Sequence, residues 1–274
     1  MLRSLYSGIS GMKGFQTNLD VVGNNIANVN TSGYKKSRIT FQDLMNQQIK
    51  ASNDPTATTG GTNASQVGLG SKIGSIDNVH TQGNRQTTDR TLDLALEGDG
   101  MFVLSSSPTG NDDLNADTVS FTRAGNFYLD GEGRVVNSSG LFLLGTDGQA
   151  ITIDNEATNI SINSQGQVQY NAADGELTTA GTIGVAKFSN PDGLVKNGNS
   201  TYRNSLNAGL SEAGISAPGE NGTADIVSGA LEMSNVDLSE EFTNMIIAQR
   251  GFQANTRIIT TSDQILEELV NLKR

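Results

Sequence analysis

The stretch that decides the fold runs from Val236 to Asn271: "VDLSEEFTNMIIAQRGFQANTRIITTSDQILEELVN". Leu238, Phe242, Met245, Gln249, Phe252, Thr256, Ile259, Asp263, Leu266 and Val270 alternate spacings of four and three, so one seam of a helix runs through them. Asp237 followed by Glu240 three places on reads as a capping box, which sets the helix start there. Continued to Asn271, such a helix is about 50 Å long at about 1.5 Å per residue. That exceeds an ordinary globular helix.

Working outward, the word "GFQAN" (Gly251 to Asn255) returns near the start as "GFQTN" (Gly14 to Asn18). Around it Leu5, Gly8, Met12, Phe15, Leu19, Val22, Ile26 and Val29 keep the same alternation, which predicts a second helix ending in the turn-rich "NNIANVNTSG". Gly8, Gly11, Gly14 and Gly23 make that helix weak alone, since each costs about 1 kcal/mol relative to alanine. It forms only against partners that use the bare glycine surface. One pair of helices closing its own chain satisfies this pattern, and so does association between copies; the amount of apolar surface favours the second.

Between the ends the texture changes to short alternating runs: "TLDLALEGDGMFVL", "VSFTRAGNFYLDGEGRVVN", "GLFLLGTDGQAITID", "NISINSQGQVQYN" and "TIGVAKFSN". Turn clusters such as "DGEG" and "NSQG" separate them at hairpin intervals. The fold expected is mainly β with α, an antiparallel β body plus a coiled-coil-like stalk of N- and C-terminal helices. Its parts are a stalk of residues 1–30 plus 234–274, an extended linker region of 31–72 plus 208–233, and an antiparallel β domain of 73–207. The linker assignment follows composition, because both joints are rich in Gly, Ser, Thr, Ala and Asn.

Composition excludes much chemistry. With no cysteine there is no disulfide, thiolate ligand or cysteine nucleophile, and His80 is the only histidine. It lies in the polar run "DNVHTQGN" and reads as a solvated loop or strand residue, not as a triad member or zinc ligand. "GLGSKIG" (Gly68 to Gly74) lacks dinucleotide spacing, and "DDLNADT" lacks the glycine and glutamate of a calcium loop. No catalytic, cofactor or metal residues are expected.

The net charge of −11 argues against nucleic acid or an anionic membrane as partner. The first 50 residues nevertheless hold six basic side chains against two acids, +4 in all, leaving −15 for the rest. Apolar runs such as "LFLL" are far below the roughly 20 residues that span a bilayer. The start breaks its apolar residues with Ser, Gly and Lys, unlike a cleavable signal peptide.

Two long segments then carry a resemblance. "NLDVVGNNIANVNTSGYKKSRITFQDLM" and "GALEMSNVDLSEEFTNMIIAQRGFQANTRIITTSDQILEELVNLKR" resemble the axial rod and hook proteins of the bacterial flagellum, with looser likeness through "RTLDLALEGDGMF" and "FTRAGNFYLD". The closing "LVNLKR" and "ALEMSNVDL" favour the hook, and the absence of room for an outer domain keeps the distal rod as the alternative. The resemblance implies a mechanical subunit of a head-to-tail helical homopolymer that transmits torque, located in the flagellum outside the cytoplasmic membrane. Implied partners are rod proteins, hook–filament junction proteins, the hook cap and the flagellar type III export apparatus, with no nucleic acid and no membrane insertion. The implied self-assembly seam is Leu5, Met12, Phe15, Leu19, Val22, Ile26, Leu238, Phe242, Met245, Gln249, Phe252, Ile259 and Leu266. Phe41 and Met45 in "FQDLM" match the export-gate motif, a phenylalanine followed four residues later by an apolar side chain.

Overall fold

A computed structural model describes residues 2–55, 60–109, 118–172 and 175–272. The calcium-loop-like "DDLNADT" lies outside these residues except for its last, Thr118. The chain divides into two compact units. The first holds Met1–Ala27, Ser37–Asn78 and Asp237–Arg274, and the second Asn28–Lys36 and Val79–Val236.

The first unit is built on α1 (Leu2–Ala27) and α2 (Leu238–Asn271). The Asp237 carboxylate accepts from the Ser239 and Glu240 amides, so α2 starts where the capping signal predicts. The helices run antiparallel: Gly8 sits beside Ile259, and Asn25 beside Glu241. Between them in sequence, Ser37–Asp43 pairs antiparallel with Ser71–Asn78, and Asn46–Lys50 with Ser65–Gly68. An Asn53–Thr62 bridge extends the second pairing.

In the second unit every strand pairing is antiparallel. The main sheet has nine strands with Met101–Ser105 central, flanked by Val119–Thr122 and by Phe142–Leu143, and also paired with Val185–Phe188. Smaller sheets add Thr158–Ile162, Gln167–Asn171 and Leu177–Thr182, and the pair Leu94–Glu97 with Asp225–Ser228. Alternation puts successive side chains on opposite faces, so two cores form. One centres on Phe102, Phe127 and Leu104; the other on Phe121, Phe188 and Tyr202. Phe102–Phe127 and Phe121–Phe188 meet edge to face at 5.3 and 4.8 Å between centroids.

The segments 31–72 and 208–233 differ from the linker expectation. Besides the ribbons of the first unit, Leu210–Ser216 pairs with Val185–Phe188, Asp225–Ser228 with Leu94–Glu97, and Ala230–Glu232 with Arg85–Thr87. Their pairing is carried by backbone hydrogen bonds, which composition does not report.

The same unit contains a buried charge cluster. Lys35 Nζ donates to Glu232 Oε1 at 2.6 Å and to the Thr81 carbonyl at 2.8 Å, and Arg123 Nη1 donates to Glu232 Oε2 at 3.2 Å. The Gly83 amide donates to the same Oε1, and the Gly33 amide to the Glu232 carbonyl. This ties the chain entering the unit to the chain leaving it. Burial lowers the Lys35 pKa despite the Glu232 partner. His80, expected in solvent, is instead packed 5.5 Å from the Tyr202 ring with both ring nitrogens shut off and without a hydrogen-bond partner. Desolvation, together with the Lys35, Arg123 and Lys196 charges, depresses its pKa to about 4 against an opposing pull from Asp192.

Candidate assembly surface

The shared word acquires a physical meaning in the helix pair. A Cβ on Gly251 would lie 2.5 Å from Phe15 Cζ, and one on Gly14 would lie 2.9 Å from Phe41 Cε1. Each glycine of the repeated word therefore receives a phenylalanine ring. Phe15 and Phe41 also meet, with centroids 6.1 Å apart. On α1, Gly8 receives Ile259 and Gly11 the Asn255 side chain, so these two glycines bring the helices close, while Gly14 meets Phe41 and Gly23 meets nothing within 4 Å. Farther along, Asn25 donates to Glu241 and to the Ser37 carbonyl while accepting from the Ser37 amide.

The expected seam is only half of the line that α2 buries. On α1, Val22 is buried and Leu5, Met12, Phe15, Leu19 and Ile26 are half-buried. On α2, Met245, Phe252, Ile259 and Leu266 are half-buried, whereas Leu238, Phe242 and Gln249 are exposed. Glu241, Ala248, Asn255 and Ser262 also face inward, each one residue before the expected 242, 249, 256 and 263, of which Thr256 is itself half-buried. They are small or polar, so a search for apolar residues passes over them. The contact with α1 therefore mixes small and polar side chains with the half-buried Met245, Phe252, Ile259 and Leu266.

Outward-facing apolar surface is what remains. Ile247, Ile258, Ile265 and Leu269 stand 44–58% exposed at spacings of eleven, seven and four, one stripe along α2. Phe242 and Ile246, 50% and 58% exposed, lie four residues apart on the other flank of the helix. Of the export pair, Phe41 is partly covered by the Gly14 contact, while Met45 is 84% exposed. Among the described residues no group of His, Cys, Asp and Glu could hold a metal, and no helix is long and apolar enough to cross a membrane.

A helix pair with a long uncovered apolar stripe, in a chain without a reactive cluster among its described residues, defines a structural assembly subunit. The matches to known families agree. Residues 5–35 match "Flagella basal body rod protein", residues 95–170 "Flagellar hook protein FlgE/F/G D1 domain", and residues 227–272 "Flagellar basal body rod FlgEFG protein C-terminal". The chain is 54% identical over 274 residues to the flagellar basal-body rod protein FlgG of Bacillus subtilis (strain 168), covering 100% of both chains. It is 36% identical over 278 positions to the FlgG of Borreliella burgdorferi, again 100% of both. Against the flagellar hook protein FlgE of the same organism it is 29% identical over 452 positions, 100% of both.

The chain belongs to the flagellar rod and hook family of axial proteins. Like that family it is a structural subunit of the flagellar axis, of the basal-body rod or the hook, and is not an enzyme. Hook and rod exchange places relative to the sequence expectation. The rod relatives align at the length of this chain, while the hook relative needs an alignment far longer than it.

Proposed function

We propose that this chain is a subunit of the distal rod, whose terminal helices pack with those of neighbouring copies into an open helical tube. The observation that carries this is the stripe of Ile247, Ile258, Ile265 and Leu269 left in water on α2. Its occupant is the helix pair of a second copy, because a subunit that polymerises covers such a surface at every lattice position. Contacts that do not close on themselves extend into a tube, and a rigid tube transmits torque. The seam residues of α1 and α2 hold each helix pair, while the outward stripe joins pairs. Export before assembly uses the basic first 50 residues, with Phe41 and Met45 as the gate contact. Hook cap and junction proteins are partners of the hook reading, which the equal length of chain and rod relatives disfavours.

Immunogold labelling of isolated hook–basal bodies distinguishes the two. Label confined to the rod is expected. Label along the curved hook would overturn the rod reading, and label on neither would overturn assembly into the axis.

A further inference from the structure

The second unit carries a groove lined largely by uncharged polar side chains. Two adjoining depressions of about 350 and 650 Å³ share Thr31, Asn199 and Ser200. Ser32, Asn126 and Ser139 continue the lining with neutral hydroxyls and amides. Tyr34 closes one end, with Lys196 Nζ 4.9 Å from its ring centre and donating to the Lys35 carbonyl.

Backbone strain is concentrated at the same place. The hairpin joining Val195–Gly198 to Thr201–Arg203 turns through Asn199 and Ser200 at φ 51° and 57°. Two consecutive left-handed residues favour Asn-Gly, so serine at the second position is strained where glycine would not be. The turn is also held from both sides: Thr122 Oγ1 donates to the Ser200 carbonyl, and Asn199 Nδ2 donates to Ser139 Oγ. Strained residues of this kind cluster at ligand sites, and the serine adds a hydroxyl at the groove.

We propose that this groove binds a neutral oligosaccharide, with Ser200 and Asn199 as hydrogen-bonding contacts. Hydroxyls and amides that both donate and accept suit a polyol, which presents the same groups. A protein partner would require a broad apolar centre, whereas the apolar surface here is confined to the depression that holds Tyr34 and Tyr202, and the larger depression is mostly polar. A phosphate-bearing ligand would require cationic surface, and the groove's lysine is already engaged with Tyr34 and Lys35. The inference is independent of the rod assignment.

Titration of the full-length monomer with N-acetylglucosamine tetramer and with maltotetraose, followed by amide NMR shifts, tests it. At least one sugar should give saturable shifts confined to residues 28–34, 126, 138–139 and 198–201 at concentrations up to about 10 mM. Ser200→Gly should weaken binding about fivefold, the loss of one neutral hydrogen bond, while its Tm holds or rises because strain is relieved. A merely structural Ser200 would leave binding unchanged. Unchanged binding in the variant, no saturable shift with either sugar, or shifts located elsewhere would each overturn the proposal. Concentration-dependent broadening of these amides without sugar would assign the groove to self-contact, and would equally overturn it.

Discussion

The Phe15 ring occupies the space where a side chain on Gly251 would stand, with Phe15 Cζ 2.5 Å from an ideal Cβ there. Gly251→Ala should improve the intrinsic propensity of α2 by about 1 kcal/mol and still destabilise the helix pair. The added methyl forces Phe15 away, an overpacking cost of about 1–3 kcal/mol. Circular dichroism of the monomer should show earlier loss of helical signal with the β transition unmoved. A helix signal more stable than the parent would mean that the contact is slack.

The buried cluster makes an ordered prediction for two variants. Glu232→Gln leaves Lys35 and Arg123 buried without their carboxylate and should cost about 3–5 kcal/mol. Lys35→Met keeps the Arg123–Glu232 pair and removes a buried charge whose pKa burial already lowers, so its cost should be smaller. Urea unfolding of the two proteins checks the order; the reverse ranking would show that Lys35 is the dominant partner.

His80 predicts an acid sensitivity. Its folded pKa of about 4 lies below the ordinary 6.5, so between these values the unfolded chain binds more protons. Stability is therefore full above pH 6.5 and declines as pH falls toward 4, by up to about 3 kcal/mol. The nearby charges are Lys35, Arg123 and Lys196, with Asp192 opposing. His80→Phe should flatten this part of the pH–stability curve, and an unchanged slope would move the effect to the carboxylates.

Sequence pattern reveals long elements better than close contacts. The start and end of α2 follow from Asp237 and from a seven-residue period that survives 34 residues. The strands around Phe102 and Phe121 follow from alternation that burial enforces. By contrast, Glu241, Ala248, Asn255 and Ser262 carry no hydrophobic signal, and the partners that meet Asn255 and Glu241, Gly11 and Asn25, lie more than two hundred residues away. The strand Ser37–Asp43 holds "RITF", a legible β pattern submerged in a polar neighbourhood. For Lys35 and Glu232, 197 residues apart, no local pattern announces the pairing. His80 shows the same limit: polar neighbours in sequence say nothing of Tyr202 beside it in space.

Phe41 and Met45 offer a test of export separate from packing. Met45 is 84% exposed, so Met45→Ala should leave monomer stability within about 0.5 kcal/mol. Phe41→Ala removes a ring from Gly14 and Phe15 and should loosen the first unit. If the pair engages the export gate, Met45→Ala alone should reduce secretion at unchanged cytoplasmic abundance. Secretion lost only with Phe41→Ala, in step with protease sensitivity, would assign the effect to folding.

Ile247→Asp separates assembly from folding. Ile247 is 58% exposed in the monomer, so a carboxylate there stays in water, and the cost is confined to about 0.5 kcal/mol of helix propensity. Phe252 is a poorer choice because it is half-buried in the helix pair, and an Asp there would disturb folding as well. In the proposed tube the Ile247 stripe would be covered, and each subunit would have to desolvate the new charge without a partner, at several kcal/mol. Repetition along the lattice multiplies that cost. Polymer measured by sedimentation or electron microscopy should therefore disappear, while the monomer's thermal transition stays in place. Normal tubes from the variant would remove this stripe from the assembly interface, and an early-melting monomer would assign Ile247 to the helix pair itself.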